Sequence, residues 1–86
     1  MMIQSSSTPK VIYDRDVDVL YLKYATNKNA TAREIGANII AYFDDTTGLP
    51  TTITILDYIH LENTRPSWRN ELPIFIDFDR DVKPFI

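Results

Sequence analysis

The chain has 86 residues and a formal net charge of −3, with nine Lys and Arg against twelve Asp and Glu, and it contains no cysteine. A chain of this length makes one domain with a small core, and it has neither disulfides nor thiolate chemistry. Its basic residues are scattered and predict no nucleic-acid partner, because proteins that bind nucleic acids carry a basic patch. Small domains without such cross-links often oligomerise, so we expect a homodimer.

The amino terminus, residues 1–9, is rich in Ser and Thr and predicts a flexible arm. It has neither the basic start nor the apolar stretch of a signal peptide. The longest apolar run, Ile39–Phe43, is far shorter than the ~20 residues of a membrane span. These features predict a cytoplasmic protein without a membrane partner.

A first hairpin pattern follows the arm. Two β-rich runs, residues 10–13 and 18–24, are joined by an aspartate-rich segment at 14–16. Aspartate favours turns because its side chain accepts a hydrogen bond from the backbone two residues further on. In the second run Leu20 and Leu22 share one face, which we predict to enter the core.

A second hairpin pattern spans the middle of the chain. Residues 31–43 predict a strand that is bent or bulged at Gly36, and residues 51–58 predict another strand. Between them, residues 44–48 predict a turn in which Gly48 takes a positive φ. In the later strand the isoleucines alternate with threonines, which is typical of a sheet that covers its core on one side only.

The carboxyl-terminal part has a different pattern. Residues 64–72 predict a short helix with Pro66 in its first turn and Trp68 in the core. Residues 74–78 predict a fifth strand. The fold class is therefore mainly β, α+β at the margin: an antiparallel β-meander of four to five strands with one short C-terminal helix.

The domain organisation follows from these elements: a β-meander domain over residues 10–58 and an extension over 59–86 that packs on the same domain. The sequence at 13–17 recurs in similar form at 78–82. This similarity suggests the hypothesis that the last strand pairs with a sheet edge of a partner protomer.

The signature positions of the two hairpins resemble a small bacterial domain family of unknown function. Its members read tyrosine-aspartate, three residues, aspartate, one residue, then leucine-tyrosine-isoleucine, followed by an aspartate-rich turn and a closing strand. Thr52 and Thr54 stand where that closing strand has glycine and glutamate. The residues that carry the resemblance are Tyr13, Asp14, Asp18, Leu20, Tyr21, Leu22, Asp44, Gly48, Ile53 and Ile55. The resemblance implies a β-meander and an antitoxin-like role.

Two groups of aspartates are candidate metal ligands. Asp14, Asp16 and Asp18 have the spacing that opens a calcium loop. That loop also requires a glycine at its sixth position and a glutamate at its twelfth, and this chain has neither residue there. A hairpin turn is therefore the favoured interpretation. The second group would line one face of an extended strand and is better explained as a charged sheet edge or end. This second group consists of Asp77, Asp79 and Asp81.

These features predict a non-enzymatic function, with no catalytic residue and no cofactor. We expect a protein-interaction module that buries aromatic and aliphatic sheet surface, in an antitoxin-like role against a small basic protein. One alternative is a metal-assisted hydrolase that uses an aspartate cluster and His60, the only histidine. Another is a small-ligand binder at a dimer interface.

Overall fold

Five antiparallel strands and four short helical segments form the fold in the computed structural model, which describes residues 8–86. The strands are β1 (Lys10–Asp14), β2 (Val19–Lys23), β3 (Ala30–Gly36), β4 (Ile39–Asp44) and β5 (Pro50–Leu56). The helical segments are α1 (Tyr58–Thr64), a 3₁₀ helix (Pro66–Glu71), α2 (Phe78–Asp81) and a second 3₁₀ helix (Lys83–Phe85). Most of the predicted arm, residues 1–7, lies outside the described residues.

The strands form one sheet in the order β1-β2-β5-β4-β3, and every neighbouring pair is antiparallel. Strands β3, β4 and β5 are a meander, and the β1–β2 hairpin joins this meander where β2 pairs with β5. The connection from β2 to β3 therefore leads from inside the sheet to the edge opposite β1. The prediction of a mainly β, antiparallel fold with a small helical part is confirmed.

The single bent strand predicted over residues 31–43 is wrong, because this segment is the β3–β4 hairpin. The bulge expected at Gly36 is present, since the register shifts between Glu34 and Gly36. Ala37 and Asn38 then reverse the chain, with Asn38 at φ 68°. Asparagine tolerates this left-handed conformation, so the turn forms without a second glycine.

The carboxyl-terminal segment differs from its prediction in two respects. The helix predicted over residues 64–72 is instead the last residue of α1 followed by a 3₁₀ helix, in which Pro66 lies in the first turn as expected. The fifth strand predicted at residues 74–78 is wrong, because this part of the chain is irregular and then enters α2. Its alternation is nevertheless real: Ile76 is buried in the core and Phe75 is 91% exposed. The segment lies over the core and not at a sheet edge, so the strand postulated to pair with a partner protomer does not form.

The core lies between one face of the sheet and the helical segments. Leu20, Leu22, Ile53 and Ile55 are fully buried on the sheet side, and Trp68 is fully buried on the helical side. All five positions were predicted to enter the core or to share its face. Fully burying an aliphatic or aromatic side chain stabilises a fold by ~1.5–3 kcal/mol, so these positions supply much of the stability of a small domain.

A chain of aromatic rings connects the helical layer to the sheet. Tyr13, Tyr58, Trp68 and Phe78 make successive edge-to-face contacts with ring centroids 5.9, 6.2 and 5.3 Å apart. The guanidinium of Arg69 lies over the Phe78 ring, 4.3 Å from its centre. The helical extension is therefore packed on the same core as the sheet.

Candidate functional site

Asp18 joins the first hairpin to α1. Its carboxylate accepts a 2.6 Å hydrogen bond from the Tyr13 hydroxyl, and both of its oxygens lie 3.1 Å from the donating amide of Ile59. The carbonyl of Asp18 accepts from the amide of Tyr58 at 3.1 Å. The residue that precedes α1, Asp57, provides no side-chain cap, so the carboxylate that satisfies the start of this helix comes from a distant turn.

The same hydrogen bond changes the titration of Tyr13. Because its hydroxyl donates to the Asp18 carboxylate, and ionisation would remove that proton, the pKa of Tyr13 is raised above its ordinary value. Tyr13 and Asp18, two of the signature residues, thus connect the first hairpin to α1, which is far away in sequence.

The turn that follows β4 is formed as the sequence predicts. The Asp44 carboxylate accepts hydrogen bonds from the amides of Thr46 and Thr47 at 2.8 and 2.9 Å, and these bonds lower the pKa of Asp44. Gly48 takes φ 75° and donates its amide to the Asp44 carbonyl at 2.8 Å. The positive φ predicted for Gly48 is confirmed.

The first group of candidate metal ligands is engaged in turn and helix contacts. Asp14 accepts from the amide of Asp16 at 3.1 Å, which is the aspartate turn that the sequence predicts. Asp18 faces Tyr13 and Ile59, as described above. The three carboxylates therefore have different surroundings.

The second group lies at α2 and does not line a strand. Asp77 accepts from the amide of Arg80 at 3.3 Å, Asp79 lies 3.3 Å from Lys83, and Asp81 lies 3.0 Å from Arg80. Within residues 8–86, no three His, Asp or Glu side chains are grouped so that they could hold a metal ion. His60 lies exposed on α1.

The second face of the sheet is the candidate site. Residues paired directly across antiparallel strands point to the same side, and side chains alternate along each strand. The positions between the core residues therefore share this second face, which we call the open face. Its middle row is Ile12, Tyr21, Thr54, Ile40 and Glu34; its flanking rows are Lys10, Lys23, Thr52, Tyr42 and Ala32, and Asp14, Val19 and Leu56.

Seven of the thirteen residues on the open face are aliphatic or tyrosine, and none of the helical segments in residues 8–86 packs on this face. The helical residues of the core cluster pack on the opposite face, and none of the open-face residues belongs to that cluster. Ile12 is 37% exposed, and Tyr21, Ile40, Tyr42 and Leu56 are half-buried. Val19 is 8% exposed. Thr52 is 3% exposed and donates its hydroxyl to the side-chain oxygen of Asn27 at 3.0 Å, so the loop between β2 and β3 covers this part of the face.

The two ends of the open face carry opposite charge. Lys10 and Lys23 are direct partners across β1 and β2, and both are exposed. Asp14 lies at the other end of β1. Neither lysine forms an ion pair with any residue between 8 and 86. The face thus combines an apolar middle with a basic end and an acidic end.

Sequence reasoning identified part of this surface and missed the rest. The predicted core face of Leu20 and Leu22 leaves Val19 and Tyr21 on the other side of β2, and the threonines of β5 predict that this side is partly exposed. Ile40 and Tyr42 were not assigned, because the predicted bent strand concealed the β3–β4 hairpin and with it the register of β4. The available signal was Asn38, whose tolerance of positive φ permits a turn after a bulged glycine.

Comparison with known proteins finds a domain family of unknown function. A family model described as "Protein of unknown function (DUF2283)" matches residues 10–57. This range begins with β1 and ends just after β5, so it contains the whole sheet and the open face. No curated protein and no solved structure matches the chain significantly. No helix in the described residues is long and apolar enough to cross a membrane.

Proposed function

The chain belongs to DUF2283, a family of proteins of unknown function, and from this premise we propose that it is a non-enzymatic protein-interaction module whose open face binds another protein. The observation that carries the proposal is the apolar open face. Aliphatic and tyrosine side chains lie on β1, β2 and β4 of this face, with Thr52, Thr54 and Leu56 on β5 between them, and no helical segment within residues 8–86 covers them.

The size of the open face supports a binding role. Five strands ~4.8 Å apart and three rows ~6.8 Å apart give a surface on the order of 500 Å². Apolar residues hold seven of the thirteen positions, so the apolar part is about half of this area, near the lower end of the ~300–600 Å² of the largest apolar patch on a typical monomer. Tyr21 and Tyr42 add to this support, because tyrosine is enriched in interfaces, where its ring is buried and its hydroxyl stays hydrated.

A small basic protein is a partner that fits the net charge of −3, in the antitoxin-like role implied by the family resemblance. Opposite net charges accelerate association and suppress binding to other acidic proteins. The apolar open face would then supply the contact area, while the exposed aspartates in the turns around the sheet would steer the encounter.

The test is capture from native lysate with three tagged forms of the chain: wild type, Ile12→Glu and Phe75→Glu. Ile12 lies on the open face in an edge strand, so the new charge is tolerated in the free chain. Phe75 is a matched control, because it is exposed and apolar but lies in the helical layer. Each captured protein is purified and its binding is measured by calorimetry.

A stoichiometric partner that is lost with Ile12→Glu and kept with Phe75→Glu supports the proposal. A partner that binds all three forms equally would show that the open face is not the contact surface. A captured protein with a high content of Lys and Arg and a salt-dependent association rate supports the basic-partner form of the proposal.

A further inference from the structure

We propose that the occupant of the open face is a second copy of this chain, packed face to face about a two-fold axis that lies midway between the two sheets, parallel to their planes, and runs across their strands. This inference rests on the proposed binding role of the open face, and in it a second copy of the chain takes the place of the small basic protein. In the resulting dimer, the Lys10–Lys23 end of each sheet lies over the Asp14 end of the other.

The like-charge pair at the basic end is the first argument. Directly opposite residues in an antiparallel pair have Cβ atoms ~4.5–5.5 Å apart, and like charges at this distance are destabilising. A lysine on an edge strand can serve to discourage edge-to-edge aggregation, which would account for Lys10 alone. Lys23 lies on β2, inside the sheet, so that explanation does not apply to it. An acidic group on a facing surface would relieve the repulsion between Lys10 and Lys23.

The arrangement of charges on the open face is the second argument, because it is self-complementary. Lys10 and Asp14 lie on the same strand and the same face, on opposite sides of the middle row. A two-fold axis parallel to that row brings the basic end of one protomer over the acidic end of its partner. Each protomer then places its Asp14 near the partner's basic pair, and the same contact occurs twice, as an isologous interface requires.

The side chains of the middle row point to this axis, so each of them meets the same residue of the partner protomer. Ile12, Tyr21, Thr54 and Ile40 would form the dry centre, where two sheets ~10 Å apart interdigitate with their strands nearly aligned. Glu34 ends the row at the β3 edge. Its carboxylate and that of the partner stay in contact with water, which screens their repulsion.

The area of the open face predicts a weak dimer. A standard protein interface buries ~800 Å² on each partner, whereas the open face provides on the order of 500 Å². The dimer should therefore dissociate on dilution. The association must therefore be measured over a range of protein concentrations.

The first experiment is sedimentation equilibrium of the full chain from about 1 to 500 µM, for wild type, Ile12→Glu and Phe75→Glu. We expect a concentration-dependent dimer for wild type and for Phe75→Glu. Ile12→Glu places two carboxylates at the axis and should raise the dissociation constant by about tenfold or more. Circular dichroism melting of each variant verifies that it is folded.

The second experiment tests the orientation by exchanging charges. One variant carries Lys10→Glu and Lys23→Glu, and the other carries Asp14→Lys. Each should associate more weakly with itself than wild type does, because like charges then face each other. An equimolar mixture should recover dimers, since each contact in the mixed dimer joins opposite charges. Salt at about 0.5 M should reduce that recovery.

Dimers of wild type that weaken with Ile12→Glu, together with recovery in the mixture, support the inference. A monomer at every concentration overturns it, whether residues 1–7 or a different protein covers the open face. A dimer that Ile12→Glu leaves intact also overturns it. If the chain is monomeric but Ile12→Glu still abolishes capture of a lysate partner, the proposed function stands and only the second copy is rejected.

Discussion

Replacing Asp18 with alanine should destabilise the protein far more than a turn substitution ordinarily does. A hydrogen bond to a charged acceptor contributes ~1.5–3 kcal/mol, and we take ~1.5 kcal/mol for the Ile59 amide because Ile59 is 46% exposed and water replaces part of the bond. Asp18 also takes φ 56°, where alanine costs ~1 kcal/mol more. The sum is ~2.5 kcal/mol, which corresponds to a fall in Tm of roughly 10–20 °C for a domain of this size.

Urea unfolding followed by the fluorescence of Trp68, the only tryptophan and a fully buried one, measures this change. Asp18→Gly separates the two contributions, because glycine accepts the positive φ but provides no carboxylate. Asp16→Ala is the matched control, since Asp16 is exposed in the same turn. If Asp18→Ala lowers the free energy of unfolding by less than about 0.5 kcal/mol, the contact between the hairpin and α1 is not a source of stability.

Three further changes test the turns and their packing. Gly48→Ala should cost about 1 kcal/mol in chemical denaturation, because φ is 75° and an added Cβ would meet no atom within 4 Å; an unchanged midpoint would contradict this. Gly36→Ala should destabilise because its Cβ would displace the Glu71 carboxylate from Arg65, and Glu71→Ala should remove most of that cost in a double-mutant cycle. The lowered pKa of Asp44 gives stability that is complete above about pH 4 and lost as the pH falls through the lowered value. Asp44→Asn should flatten this acid-side dependence in melts between about pH 2 and 5.

The sequence predicts most of the sheet because its signals there are local. Leu20 and Leu22 alternate with exposed or half-buried positions, Asp44 and Gly48 have the side chains that their turn requires, and all of these are observed. Such features depend on residues a few positions apart. They can therefore be inferred from sequence alone.

The features that sequence reasoning missed depend on residues distant in sequence. The start of α1 is satisfied by Asp18 across 41 positions, so nothing next to Ile59 marks it. Tyr58 and Leu61 are buried one helical turn apart in α1, whereas the sequence predicts Tyr58 as the end of a strand. The open face required the register of β4 against β5, which became visible only with the turn at Asn38.

The strand order also has a consequence for how the molecule folds. The β1–β2, β3–β4 and β4–β5 pairings each close over a few residues, whereas the β2–β5 pairing begins with Lys23 and Thr52, about thirty positions apart. Closing that longer loop costs more chain entropy, and non-local pairing slows folding. The hairpin and the meander can therefore form early as separate units, and their pairing in the middle of the sheet completes the core-facing side of the sheet and the open face together.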